Sequence, residues 1–337
     1  MTKRERTIAA LQHKETDFIP YDIRFTNPAF KKMVEFYNDE CFEDKIGNHF
    51  IGAHYPIEEM PVSSMPGHFI DDFGAVWDRG MEDMGVVSDY PIFTPDMSLY
   101  QLPEIRETEL RKRCEETMAD TGGHFRCGFL HPTLFERAWA LTGMENLLFY
   151  MADAPDFVHE LFSAITDMNL KILKIFLEYD FDGMYFGDDW GQQHGLIMGP
   201  PYWRKFIKPS MSKMYSLVRD NGCFIIQHSC GDIREILPDV IEIGLDVYQT
   251  FQPEIYDIES IKNKYGDRLS FWGGISTQRL LPFESPCVII DKTVETLKIL
   301  GRGGGYIAAP THAIPGDVPA ENIDALIGLL QNQSGAI

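Results

Sequence analysis

No run of about 18 apolar residues occurs anywhere in the 337-residue chain, so nothing in it reads as a membrane-spanning helix. Positive charge is scarce: 30 Lys and Arg stand against 51 Asp and Glu, a net of −21 with histidine neutral. Phosphate binding needs a positive surface, so this balance argues against a nucleic-acid partner. The six cysteines (Cys41, Cys114, Cys127, Cys223, Cys230 and Cys287) contain no CxxC pair. Reduced thiols are the expectation, with any special cysteine acting as a ligand or nucleophile. The opening MTKRERTIAALQHKETD lacks the apolar core of a secretory signal, and a cytoplasmic location is expected. The 28 Gly and 20 Pro are scattered, so there is no low-complexity linker. No internal repeat is visible.

What is present is an ordinary globular composition, 44% hydrophobic and 24% charged. Disordered, collagen-like and coiled-coil chains are thereby excluded. The length suits about two domains or one large one, and a single α/β barrel needs about 250 residues. Strand-like runs are Phe18–Phe25, His124–Leu130, Gly183–Asp189, Cys223–Cys230, Asp246–Phe251, Leu269–Ile275 and Gly305–Pro310. Helical patterns fall at Thr133–Met151, Pro155–Tyr179, Pro200–Asn221, Ile233–Ile243, Ile258–Tyr265, Cys287–Leu300 and Pro319–Gln333. Strand and helix in alternation predict a parallel sheet, and seven strands plus one uncertain one approach the eight of an α/β TIM (β/α)8 barrel. Residues 26–122 break this rhythm with seven prolines and the alternating His68–Arg79 segment, which predicts a hairpin. That region reads as an insertion capping a single barrel spanning 1–337.

Four strand candidates end in polar or unusual residues: Gly187-Asp-Asp-Trp-Gly191, Gln227-His-Ser-Cys-Gly-Asp232, Phe271-Trp-Gly-Gly-Ile275 and Ala308-Ala-Pro-Thr-His312. The C-terminal strand ends of an α/β barrel build its active site. His228 and Cys230, two apart on an extended chain, face the same way. Imidazole and thiolate on one face form a half-site for Zn²⁺, and His312 is placed to supply a third ligand. Without a metal, the same pair reads as a packed Cys and a hydrogen-bonded His. Asp188 and Asp189 point to opposite sides, so one can face the mouth as a catalytic carboxylate while the other caps a turn. His124, Cys127 and His131 span another strand end, but Cys127 falls on the opposite face from His124 and the trio reads as structural. Trp190 and Trp272, with Tyr185, are candidates for the flat apolar wall of a substrate site.

At these strand ends the sequence resembles the uroporphyrinogen decarboxylase superfamily. The resemblance begins with Arg4-Glu-Arg-Thr-Ile-Ala-Ala-Leu11 and Asp17-Phe-Ile-Pro20, and runs through Gly187-Asp-Asp-Trp-Gly191 and Trp272-Gly-Gly-Ile275 to Pro310-Thr-His-Ala-Ile-Pro315. The decarboxylases' Arg-Gln-Ala-Gly-Arg motif is replaced by Tyr21-Asp-Ile-Arg-Phe-Thr26. The His228-Ser-Cys230 pair is similar to the zinc motif of the cobalamin-dependent methyltransferase branch, resembling coenzyme M methyltransferases. There the third ligand is a cysteine, and His312 stands at the matching position here. The resemblance implies a TIM barrel, a Zn²⁺ site at His228, Cys230 and His312, and a cobalamin (corrinoid) carried by a partner protein. One thiolate fewer leaves the zinc more positive, which favours oxygen over thiol chemistry. The expectation is therefore a methyltransferase moving methyl from a methoxylated, aromatic donor to a corrinoid protein. Transfer from methylcorrinoid to a thiol, a metal-free decarboxylase and a non-catalytic binding barrel are the alternatives. A homodimer paired through the barrel helices is also compatible.

Overall fold

Seven apolar segments pair side by side and all in the same direction in a computed structural model of the chain, which describes residues 1–80 and 85–333. They are β1 (Phe50–His54), β2 (Phe125–Leu130), β3 (Gly183–Gly187), β4 (Phe224–His228), β5 (Val247–Phe251), β6 (Ser270–Ile275) and β7 (Tyr306–Pro310). Their order in the sheet follows their order in the chain. Every residue of β6 and β7 is buried, as expected where helices cover one face and the barrel interior the other.

The sheet is closed by the extended segment 19–25, which bridges β7 in parallel at Tyr21–Ala308 and the loop beyond it at Phe25–Ile314. Asp22 N donates to Ala308 O at 3.1 Å, Ala308 N to Pro20 O at 2.8 Å, and His49 N to Tyr21 O at 3.0 Å. The segment thus touches both sheet edges and takes the eighth place in the barrel. Pro20 lacks an amide donor, and side chains replace part of the regular ladder. Asn48 bonds both the N and the O of Ile23, and Gln333 bonds both the N and the O of Ile19. Phe50, Phe125, Ile226, Val247, Trp272 and Ile307 fill the interior, with Leu11 of the first helix (Lys3–Leu11) packed into the same cluster.

The sequence did not yield β1. Phe50–His54 lies within the 26–122 stretch read as an insertion, yet it pairs with β2 from Phe50–Phe125 to His54–Phe129. Glu107–Met118, from the same stretch, is a helix packed against β1. Between them lies a separate antiparallel sheet of Glu59–Pro61, His68–Asp71, Val76–Asp78 and Val86–Asp89, which includes the expected hairpin. Residues 81–84 of that stretch lie outside the described residues. The helix expected over Thr133–Met151 is two helices, Phe135–Thr142 and Met144–Asp153, parted at Gly143 with φ +80°. Among the described residues, no helix is long and apolar enough to cross a membrane.

Candidate active site

β3 and β4 are neighbours with Gly187 opposite His228, so the residues just past both strands emerge together at the C-terminal rim. His228 Nε2 lies 3.2 Å from Asp189 Oδ1 and 3.6 Å from Cys230 Sγ. The Cys230 amide donates to the same Asp189 oxygen at 2.7 Å. One ligand atom from each of Asp189, His228 and Cys230 falls within 4.8 Å of the others. Tetrahedral zinc with bonds of about 2.0–2.3 Å sets its ligand atoms about 3.3–3.8 Å apart. The two separations at His228 lie close to that range, so one nitrogen, one sulfur and one oxygen donor fit a single zinc ion.

Gln249 on β5 fixes the imidazole, because its Oε1 hydrogen-bonds His228 Nδ1 and also accepts from Tyr185 OH at 2.9 Å. With Nδ1 so engaged, Nε2 is the nitrogen turned toward Asp189 and Cys230. Burial would lower the His228 pKa, but Tyr185, Cys230 and Asp189 outweigh it and hold the ring protonated above its usual range. Burial likewise raises the Asp189 carboxyl, yet the hydrogen bond and charge of His228 and the Cys230 amide bring it down to about 2.

Of the residues that the strand-end motifs single out, Asp189, His228 and Cys230 therefore converge, and others are placed elsewhere. Asp188 is fully buried and turned away from the mouth. It accepts from the backbone amides of Leu134, Phe135 and Glu136 at 2.8–3.2 Å and from Trp190 Nε1 at 2.6 Å. Asp188 is thus a cap on the helix Phe135–Thr142, since its carboxylate satisfies the amides a helix start leaves open. Trp190 is fully buried against Trp203, 5.3 Å between ring centroids, and forms no part of the cavity wall. Its indole had to follow Asp188 inward. Tyr185 and Trp272 do line a cavity of about 390 Å³ beside His228, and Phe50 stacks beneath Trp272 at 4.3 Å. His312 lines the same cavity but does not belong to the close-set trio of ligand atoms.

Glu136 and His131 do not stand out in the sequence as mouth residues. Glu136 shares an adjoining cavity with Asp189, His228 and His312, and its Oε2 is buried without a hydrogen-bond partner among the described residues. Burial, with Asp189 and Asp188 adding like charge, holds its carboxyl well above the usual range. His131 Nε2 stands 3.5 Å from that oxygen. The His131 ring fits only because Gly187 lacks a side chain, as a Cβ there would lie 2.0 Å from His131 Cδ2. A lone Glu in a first helical turn reads in sequence as dipole complement, which concealed Glu136. His124 pairs with Asp120 at 2.9 Å and Cys127 is wholly buried, so neither joins His131.

The model of the uroporphyrinogen decarboxylase (URO-D) family matches residues 135–333. A uroporphyrinogen decarboxylase of Coxiella burnetii is 27% identical over 188 residues, covering 53% of this chain and 48% of that protein. A methylated-thiol–coenzyme M methyltransferase of Methanosarcina mazei is 23% identical over 193 residues, covering 57% of this chain and 49% of that protein. The alignments thus span about half the length of the curated relatives. A solved structure of a methyltransferase from Methanosarcina mazei superposes with a TM-score of 0.74 at 17% identity, over 99% of this chain and 100% of that one.

Proposed function

Since this chain belongs to the uroporphyrinogen decarboxylase family, we propose that within it the chain is a zinc-dependent methyltransferase, taking methyl from a methoxylated aromatic donor and delivering it to a corrinoid on a separate protein. The observation that carries this reading is the meeting of Asp189, His228 and Cys230 at the barrel mouth. A decarboxylase that works without metal has no use for a cysteine within 3.6 Å of an imidazole nitrogen. One of the matched relatives carries a methyltransferase name and the other a decarboxylase name, so the donor set weighs more than the names.

Asp189, His228 and Cys230 would hold the ion; carboxylate and thiolate together balance its two charges, so what favours an oxygen donor is the harder carboxylate oxygen in place of a second thiolate. Bound zinc supplies Lewis acidity, which stabilises the oxygen that loses its methyl. The protein's own residues do the remaining work. Gln249 keeps the His228 ring turned so that Nε2 faces the ion site. Tyr185, Phe129 and Trp272 offer apolar walls that seat a planar donor and keep water away. His312 lines the same cavity and would face the donor there.

The test combines metal analysis with a transfer assay. Purified protein should carry about one zinc per chain, and Cys230→Ser should lose most of it while keeping its circular dichroism spectrum. Incubation with cob(I)alamin and methoxybenzenes should give the methylcobalamin spectrum. Unchanged zinc in Cys230→Ser removes that ligand. Failure with every methoxylated donor, with demethylation of methylcobalamin by a thiol, reverses the direction.

A further inference from the structure

In the donor cavity, on the wall opposite the metal ligands, the chain carries a second polar group. The eight places of the barrel run from segment 19–25 through β1 to β7. Segment 19–25 and β4, which bears His228, are four places apart and so face each other across the mouth. Asp22 and Arg24, from the closing segment, line the same 390 Å³ cavity as His228. The Asp22 side chain is only 6% exposed. Its Oδ2 accepts from Arg24 Nε at 2.9 Å, but its Oδ1 is buried without a hydrogen-bond partner among the described residues. A buried carboxylate oxygen left without a donor costs free energy unless a ligand supplies one.

We propose that Asp22 Oδ1 receives a hydroxyl of the methyl donor, so that the substrates of this site are methoxylated aromatics bearing a free hydroxyl group at the end remote from the metal ligands. This rests on the reading of the cavity as a methyl-donor site. Charge selects the hydroxyl from among the groups that could occupy this end. Arg24 already neutralises Asp22, so an ammonium group gains little from the carboxylate. A carboxylate ligand would meet Asp22 itself as a like charge. A neutral hydroxyl donates to Oδ1 and displaces neither partner. The wall between the two ends is aromatic, with Phe129, Tyr185 and Trp272, and the His54 ring stacks on Phe129 at 4.3 Å. A cavity walled in this way suits a planar ring.

Binding without turnover tests the proposal, because calorimetry needs neither cobalt nor transfer. The three methoxyphenol isomers are titrated into the zinc-loaded protein, beside the dimethoxybenzenes in which the hydroxyl is capped by methyl. At least one methoxyphenol should bind about tenfold tighter than its capped counterpart, as for a hydrogen bond to a charged group. Asp22→Asn, which keeps the shape and leaves a donor amide free to face the cavity, should erase that preference. Asp22→Ala should erase it as well, and either variant that folds suffices. Equal affinity for free and capped compounds in the wild type overturns the proposal, as does a preference that survives in a folded variant. Tighter binding of the methoxybenzoates than of every methoxyphenol also overturns it, and assigns this end to Arg24 as an anion anchor. Failure of methyl transfer with the calorimetric preference intact defeats the methyltransferase reading alone.

Discussion

Asp188 and Asp189 are adjacent and have opposite duties. Alternation along an extended chain places one on each side, but which side is the mouth depends on where the strand ends, and sequence does not fix that parity. The structure turns Asp188 inward, where it closes four donors, and Asp189 outward beside His228. The two substitutions should therefore separate cleanly. Asp188→Ala strands three helix-start amides and an indole N–H, and should cost about 2–4 kcal/mol by equilibrium unfolding. Asp189→Asn should strip most of the zinc and, compared in metal-free protein, lower the unfolding free energy by less than Asp188→Ala does. A matched loss of stability in both would mean that Asp189 is also scaffold. Gly187→Ala adds a third case. Its Cβ meets the His131 ring at 2.0 Å, so the ring must move, with a cost of about 1–3 kcal/mol in unfolding experiments.

A buried ion pair ties the small antiparallel sheet to the barrel. Arg137, in the helix Phe135–Thr142, pairs with Asp71 at 3.0 Å, with side chains only 3% and 2% exposed. Its guanidinium also lies 3.6 Å above the Phe73 ring. Asp71 further accepts from the amides of Phe73 and Ala75 and from Trp77 Nε1, so it also organises the hairpin turn. Asp71→Ala should cost about 3–5 kcal/mol, because it leaves Arg137 charged and alone in the interior. Hydrogen exchange should rise across residues 68–78 ahead of the barrel strands, and uniform protection would show that the sheet does not depend on this pair. The elements best read in sequence were those with continuous apolar runs, such as Phe224–His228 and Tyr306–Pro310, since strands buried on both faces have that composition. Phe50–His54 went unread because Gly52 and His54 interrupt its apolar run. Gly52 is demanded by packing, as a Cβ there would meet Cys127 O at 2.1 Å. The zinc candidates were legible as far as His228 and Cys230, which share a strand end. Which of Asp188 and Asp189 approaches them depended on contacts between strands.

For the molecule as a whole, three histidines set the response to acid. Burial, with the charges of Arg6 and Lys3, lowers His49 to about 3. Burial, with Arg24, lowers His54 to about 4, and burial, with the charge of His228, does the same for His131. All three are neutral in the folded protein, whereas in the unfolded chain they titrate near about 6.5. The unfolded state thus binds more protons as acid is added. The stability they contribute is complete above about pH 6.5 and is lost as pH falls toward 4 and then 3. Denaturant midpoints measured from pH 8 to pH 4 should be level with respect to these groups above about 6.5 and decline below it. His49→Gln should soften the decline, and a midpoint that holds steady down to pH 5 contradicts the assignment.

The barrel's seam joins segments that lie far apart along the chain. The hydrogen-bond partners of residues 19–25 at Ala308, Ile314 and Gln333 are translated about three hundred residues after them. Until then the nascent sheet has β1 and β7 or their precursors as bare edges, which invite pairing with other chains. Asp22 and Arg24, on the seam, take their places in the cavity wall only when the last turn of the barrel is in hand. A prematurely terminated chain is therefore left as an adhesive open sheet for proteases and chaperones to clear. It cannot persist as a half-built receptor that sequesters donor without processing it.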